Sequence, residues 1–179
     1  PVLQGYLKDF STGSGTNLAY CTNAVPIEVQ MTYLRQLRAG VKNIAVLYSD
    51  TSRSTLEAQV LPLKALATKQ GINVLDVVVH NDTKPGPEFQ AAVPKALASM
   101  TSSDPGLQES VFWATGTTAV INSIGLLSAM IGNLPMFSVY PDLVQQGSGS
   151  AILSVGVANV NLGLLDANYM LDLLYNGKT

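Results

Sequence analysis

The chain has 179 residues, 47% of them apolar and 12% charged, and its 10 basic and 12 acidic side chains give a net charge of −2. This much apolar surface excludes intrinsic disorder, and the length suits one compact domain or slightly more. A near-neutral chain lacks the basic excess that phosphate neutralisation needs, so no nucleic-acid partner is expected.

After a short apolar start and a Ser/Thr/Gly loop at 11–16, the run NLAYC (17–21) reads as a strand. Pro26 and Glu28 suit a first helical turn, and Ile27, Met31, Leu34 and Leu37 recur at helical spacing until Gly40. NIAVLY (43–48) is an uninterrupted apolar run, the mark of a strand buried on both faces. Ser54 and Glu57 then match an S-x-x-E capping box, and Leu56, Val60, Leu63 and Ala67 line a helix that Pro62 should kink. INVLDVVV (72–79) is the next strand, followed by a helix marked by Phe89, Val93, Leu97 and Met100, with Pro94 as an interior irregularity. VFWAT (111–115) is strand, residues 117–131 helix, PMFSV strand, DLVQQ a short helix, AILSVGV (151–157) strand and residues 162–175 a terminal helix. The stretch 119–131 is too short and polar to cross a bilayer, which needs about 20 residues.

This alternation predicts an α/β fold, a parallel doubly wound sheet with helices on both faces. Ligands of such sheets bind beyond the carboxyl ends of the strands, which singles out residues 48–55, 79–84, 113–118 and 138–142. Hydroxyls at a helix start in YSDTSRST could hold a carboxylate, amide or phosphate, although serine and threonine there are first of all caps. WATGTT is similar in composition to a flavodoxin phosphate loop, yet it follows at least two strand–helix units rather than the first strand, and Trp113 reads as core or pocket wall. No G-x-x-x-x-G-K or G-x-G-x-x-G occurs. His80 is the sole neutral-pH base and no nucleophile elbow accompanies it, so it reads as an exposed loop histidine. One cysteine, Cys21, allows no internal disulfide, and with His80 it makes no metal site unless several carboxylates converge. No catalytic residue, metal or cofactor is expected. The opening PVLQGYLKDF has no basic segment ahead of an apolar one, so it does not read as a signal peptide.

Charge is unevenly spread: 18 of the 22 charged residues fall in 1–109, and one, Asp142, lies between Ser110 and Leu165. Such faces meet protein rather than water, either as central elements of the same domain or against a partner lobe or a second copy.

The order of segments resembles the bacterial ABC-transporter substrate-binding family. The resemblance is carried by PIEVQMTYLRQL (26–37), VKNIAVLYS (41–49), S-T-x-E (54–57), KQGINV (69–74), LPMFS (134–138), PDLVQQG (141–147), Leu162–Gly163 and the N-G-K near the end. It implies a type I periplasmic-binding-protein-like lobe: residues 1–20 a remnant of the first lobe and crossover, 21–139 the second lobe, and 140–179 a return crossing and terminal helix. It further implies an extracytoplasmic protein that closes by a hinge on a small-molecule ligand and delivers it to an ABC permease, with an N-terminal lobe absent from this sequence. The charge-poor final third would pack partly on that lobe, and without it self-association into a homo-oligomer is expected.

Carried over position by position, the cleft residues are Tyr48, Ser49, Ser52, Ser54, Thr55, Thr115, Gly116, Thr117, Thr118, Tyr140 and Asp142. Ser52, Gly116 and Tyr140 stand where the family carries acids, which removes partners for a ligand ammonium. The alternative is a flavodoxin-like or hydrolase-like enzyme using residues 113–118 and His80.

Overall fold

Five parallel strands form the sheet, in the order β2-β1-β3-β4-β5. The computed structural model describes residues 24–147 and 149–176, so the expected strand at 17–21 and Cys21 lie outside the described residues. In chain order come α1 (Ile27–Leu37), β1 (Asn43–Ser49), α2 (Arg53–Thr55), a π-helical turn (Leu56–Val60) and α3 (Leu61–Lys69). Then follow β2 (Asn73–Val79), α4 (Gly86–Ser103), β3 (Ser110–Ala114), α5 (Thr118–Asn122) and α6 (Ile124–Ile131). The last are β4 (Met136–Ser138), a 3-10 turn (Pro141–Leu143), β5 (Leu153–Ser154) and α7 (Asn159–Tyr175). Residues Val25–Gly156 form one compact unit, and α7 belongs to a second.

Alternation along the buried strands feeds one core on each face of the sheet. Ala45, Leu47, Val77, Phe112 and Met136 meet Phe89, Val93 and Met100 of α4 and Leu127 of α6. Ile44, Val46, Val111, Trp113 and Phe137 meet Met31 and Leu34 of α1 and Leu63 and Ala67 of α3. Both faces of β1 and β3 are dry, which is why their sequences read as apolar runs without a polar beat. Trp113 is fully buried and packs on Phe137 with ring centroids 4.4 Å apart, a core residue.

Polar side chains tie the sheet together at its N-terminal edge. Asn43 donates to Ser110 Oγ (3.0 Å), and its Oδ1 accepts from Asn73 and from Ser103 (each 3.0 Å). Asp104, 7% exposed, accepts from the N–H groups of Gln108 and Glu109 and from Ser110 Oγ. Burial pushes the Asp104 carboxyl up, but those hydrogen bonds outweigh it and hold the group below the usual carboxylate range.

Several local expectations need correction. The Ser54–Glu57 capping box does not form: the helix starts at Arg53 with Ser52 at the cap position, so Ser54 lies inside it, and Glu57 pairs with Arg53 (2.7 Å). Pro62 produces no simple kink; the helix widens into the π-helical turn just before it, and Pro62 then sits in the first turn of α3, where its missing N–H costs nothing. The helix expected over 117–131 breaks at Ser123, whose φ of −103° and ψ of 6° end α5 and start α6. DLVQQ gives only the 3-10 turn at Pro141–Leu143. The strand expected at 151–157 shrinks to Leu153–Ser154, because its neighbour β4 is only three residues long, Met136–Ser138.

Candidate functional site

In a sheet of order β2-β1-β3-β4-β5, successive crossovers run outward in opposite directions from β1 and β3, which makes their carboxyl ends the switch point where ligands of such sheets bind. The segments there are residues 50–55 after β1 and 115–118 after β3, flanked by 139–142 after β4.

Their side chains divide into those bonded within the compact unit and those left open. Tyr48 is 7% exposed and its hydroxyl donates to Asp76 Oδ1 (3.1 Å), while Lys64 Nζ lies 5.8 Å from its ring centroid. Burial first, then the negative charge of Asp76, push the Tyr48 hydroxyl up to about 12. Ser49 is buried and hydrogen-bonded to Thr51 Oγ1 (2.9 Å), and Thr51 in turn donates to Asp82. Hydrogen bonds from Ser49 and Thr51 hold Asp82 below its ordinary range. Ser52 donates to Thr55 Oγ1 (2.9 Å), and Thr115, fully buried, donates to the Leu47 carbonyl (2.8 Å). Ser54, Thr118 and Asp142 are exposed; Ser52, Gly116 and Tyr140 are half-buried.

Packing is tight around Gly116. Its N–H donates to Gln59 Oε1 (3.2 Å), and a Cβ built on it would lie 2.9 Å from Tyr140 Cε2 and 3.6 Å from Gln59 Nε2. Tyr140 is itself anchored, its N–H donating to Ser138 Oγ (2.9 Å). Next in line, Thr117 is 3% exposed and its Oγ1 is a buried hydroxyl with no hydrogen-bond partner among the described residues. Gln59 was not among the residues singled out in the sequence. It sits in the π-helical turn, and nothing in the sequence announces that turn except Pro62 downstream.

His80 Nδ1 pairs with Asp50 Oδ2 (2.6 Å), and the His80 N–H donates to Glu88 Oε2 (2.7 Å). The pair has the outline of a base and its orienting acid, but the neighbouring hydroxyls of Ser49 and Thr51 bond to each other and Asp82. No hydroxyl among the described residues is hydrogen-bonded to the imidazole, so this geometry activates no nucleophile. Among the described residues, no group of three or more His, Cys, Asp or Glu could hold a metal ion, and no helix is long and apolar enough to cross a membrane.

No family model matches the chain, and no curated protein does. Solved structures do. A ligand-free, open structure of a substrate-binding protein with adhesive properties from Clostridium difficile is 20% identical with a TM-score of 0.71, covering 100% of this chain and 55% of that one. A conserved domain protein from Vibrio cholerae is 22% identical with a TM-score of 0.72, covering 99% of this chain and 54% of that one. An ABC domain in complex with L-Trp from Streptococcus pneumoniae is 21% identical with a TM-score of 0.64, covering 97% of this chain and 55% of that one. The chain thus spans about half the length of the structures it matches. Its five-stranded parallel sheet with helices on both faces is the fold of a substrate-binding-protein lobe.

Proposed function

We propose that this chain is one lobe of an extracytoplasmic solute-binding protein of an ABC-type importer, holding its ligand without altering it. The observation that carries the reading is the switch point in strand order at β1 and β3. Beyond it gather hydroxyls, an amide and an aromatic ring, with no activated nucleophile among the described residues. Ser52, Ser54, Gly116, Thr117, Thr118 and Tyr140 are the candidate contacts, with Gln59 among them; Tyr48, Ser49, Thr55 and Thr115 brace them from within, and Asp142 stands at the rim. The fold shared with a substrate-binding protein and with a domain that holds L-Trp supports solute binding in general. In this reading residues 21–139 are the second lobe, 1–20 and 140–179 lead to and from an N-terminal lobe not in this sequence, and a hinge closes the two on the ligand for delivery to a permease.

The test is a thermal-shift screen of the purified chain against L-Trp, other amino acids, purines and small amphiphiles. A saturable rise in Tm that Thr118→Arg removes is the expected result. A visible-spectrum titration showing stoichiometric flavin uptake would instead establish the flavodoxin-like alternative.

A further inference from the structure

β2 stands at one end of the sheet order, so one of its two backbone edges has no neighbouring strand among the described residues. Along a strand the N–H and C=O of one residue point to the same side, and successive residues alternate. The Asn73 N–H donates to the Lys42 carbonyl (2.8 Å) and the Val79 carbonyl accepts from the Asp50 N–H (3.2 Å), so the odd-numbered residues face β1 while Val74, Asp76 and Val78 face outward. The next outward N–H, that of His80, donates to Glu88 Oε2 (2.7 Å), which closes this edge at its carboxyl end. Beside the open stretch runs a groove of about 390 Å³, lined by Leu75 and Val78 of β2 and by Ala91, Ala92, Lys95 and Ala96 of α4. Its helical lining, from Glu88 to Ser99, repeats every three or four residues on one face and rises about 16 Å, the reach of Leu75 to His80 in a strand. We propose that the open edge of β2, with this face of α4, is a docking groove for an extended acidic segment of a partner protein, which joins the sheet as an added strand.

The chemistry of the occupant follows from what the groove leaves unmet. Val74, Asp76 and Val78 each present an N–H and a C=O that an added strand meets in series, and the short alanine side chains leave room for its residues beside α4. Lys95 is exposed and makes no ion pair or hydrogen bond among the described residues. The acids of the groove already have partners: Asp76 pairs with Lys64 (2.6 Å), and Glu88 accepts from the His80 N–H. A carboxylate on the incoming strand is therefore the complement of Lys95. A second copy of this chain fits worse, because pairing β2 with itself through all three outward residues sets Asp76 directly opposite its counterpart, where like charges destabilise. At the other end of the sheet β5 pairs only through Leu153 and Ser154, too short a template, whereas β2 is held to β1 along its whole length. None of the proposed solute contacts lines this groove.

The probe is a capped peptide, Thr-Val-Thr-Glu-Thr-Val-Thr, whose palindromic order presents the same Val-Glu-Val face in either chain direction; Thr-Val-Thr-Lys-Thr-Val-Thr is its charge-reversed control. Calorimetry on the purified chain should find the glutamate peptide bound about tenfold tighter than the lysine peptide, and Lys95→Glu, at an exposed helix position, should reverse that preference. Amide hydrogen exchange at Val74, Asp76 and Val78 should slow when the glutamate peptide is added. Val78→Pro, which removes an outward donor and leaves the ladder to β1 intact, should weaken binding about fivefold, with circular dichroism confirming a folded chain. Equal affinity for the two peptides, a preference that Lys95→Glu leaves unchanged, or slowing confined to other amides overturns the proposal. So does the absence of binding at peptide concentrations up to about 1 mM. Slowing of the same amides as protein concentration rises without peptide assigns the edge to a second copy and likewise overturns it.

Discussion

Gly116 shows how one missing carbon shapes the site. A methyl there would press on the Tyr140 ring at 2.9 Å, and the ring cannot yield freely because its backbone is tied to Ser138. Gly116→Ala should therefore cost about 1–3 kcal/mol in urea denaturation, as overpacking does elsewhere, and should abolish any ligand-dependent Tm rise. Tyr48 offers a second check, at alkaline pH. Its folded value, about 12, lies above the unfolded value of about 10, so the folded state holds the phenol proton more tightly. The stability it contributes is intact below the unfolded value and is lost as pH climbs through the folded one. Absorbance at 295 nm should show one tyrosine ionising late, and Tyr48→Phe should flatten the alkaline loss while costing about 1 kcal/mol at neutral pH through the lost bond to Asp76. Asp104 is the acid-side counterpart. Its carboxyl sits below the ordinary value near 3.9, so the unfolded chain binds more protons there and stability falls as pH drops below about 4. Asp104→Asn should shrink that acid-side loss in a pH series of melting curves. None of these roles is readable from residue type alone. Thr115 and Thr118 look alike in the sequence, yet one is sealed against the Leu47 carbonyl and the other is exposed.

Among the elements, the strands and long helices were legible and their ends were not. NIAVLY and VFWAT announced β1 and β3 because burial on both faces suppresses polar alternation. The break at Ser123 was hidden because both α5 and α6 are apolar and share one helical period, and the nearest glycine, Gly125, lies inside α6 rather than at the break. The π-helical turn was hidden for a related reason: an extra residue in a turn leaves the apolar positions Leu56, Val60 and Leu63 almost where a regular helix would put them. The short β5 was misread because AILSVGV is apolar enough for a full strand, whereas its length is set by how little of β4 is available to pair. Gly156 closes this corner. A methyl on it would overlap the Val139 carbonyl, a backbone atom with no rotamer to move aside. Gly156→Ala should thus lower the denaturation midpoint by more than Gly163→Ala, whose site in α7 is open and whose substitution should stabilise slightly through helix propensity.

At the scale of the whole molecule, the charge-poor final third has a visible counterpart in α7. Val160, Leu164, Leu165, Met170, Leu171 and Leu174 of that helix are each more than half exposed. Apolar surface of this kind marks an interface, and the purified chain should self-associate on light scattering as its concentration rises, with Leu164→Glu combined with Leu171→Glu restoring a monomer. The sheet itself is lopsided. Seven residue pairs join β1 to β2 and five join β1 to β3, but three join β3 to β4 and two join β4 to β5. Local opening follows the number of bonds that must break together. Amide exchange should accordingly run as a gradient across the molecule, with protons of β1 persisting longest and those of β5 replaced first. The lobe would come apart like a book losing pages from its back cover, its β4–β5 side yielding to heat or protease while β1, β2 and β3 still hold.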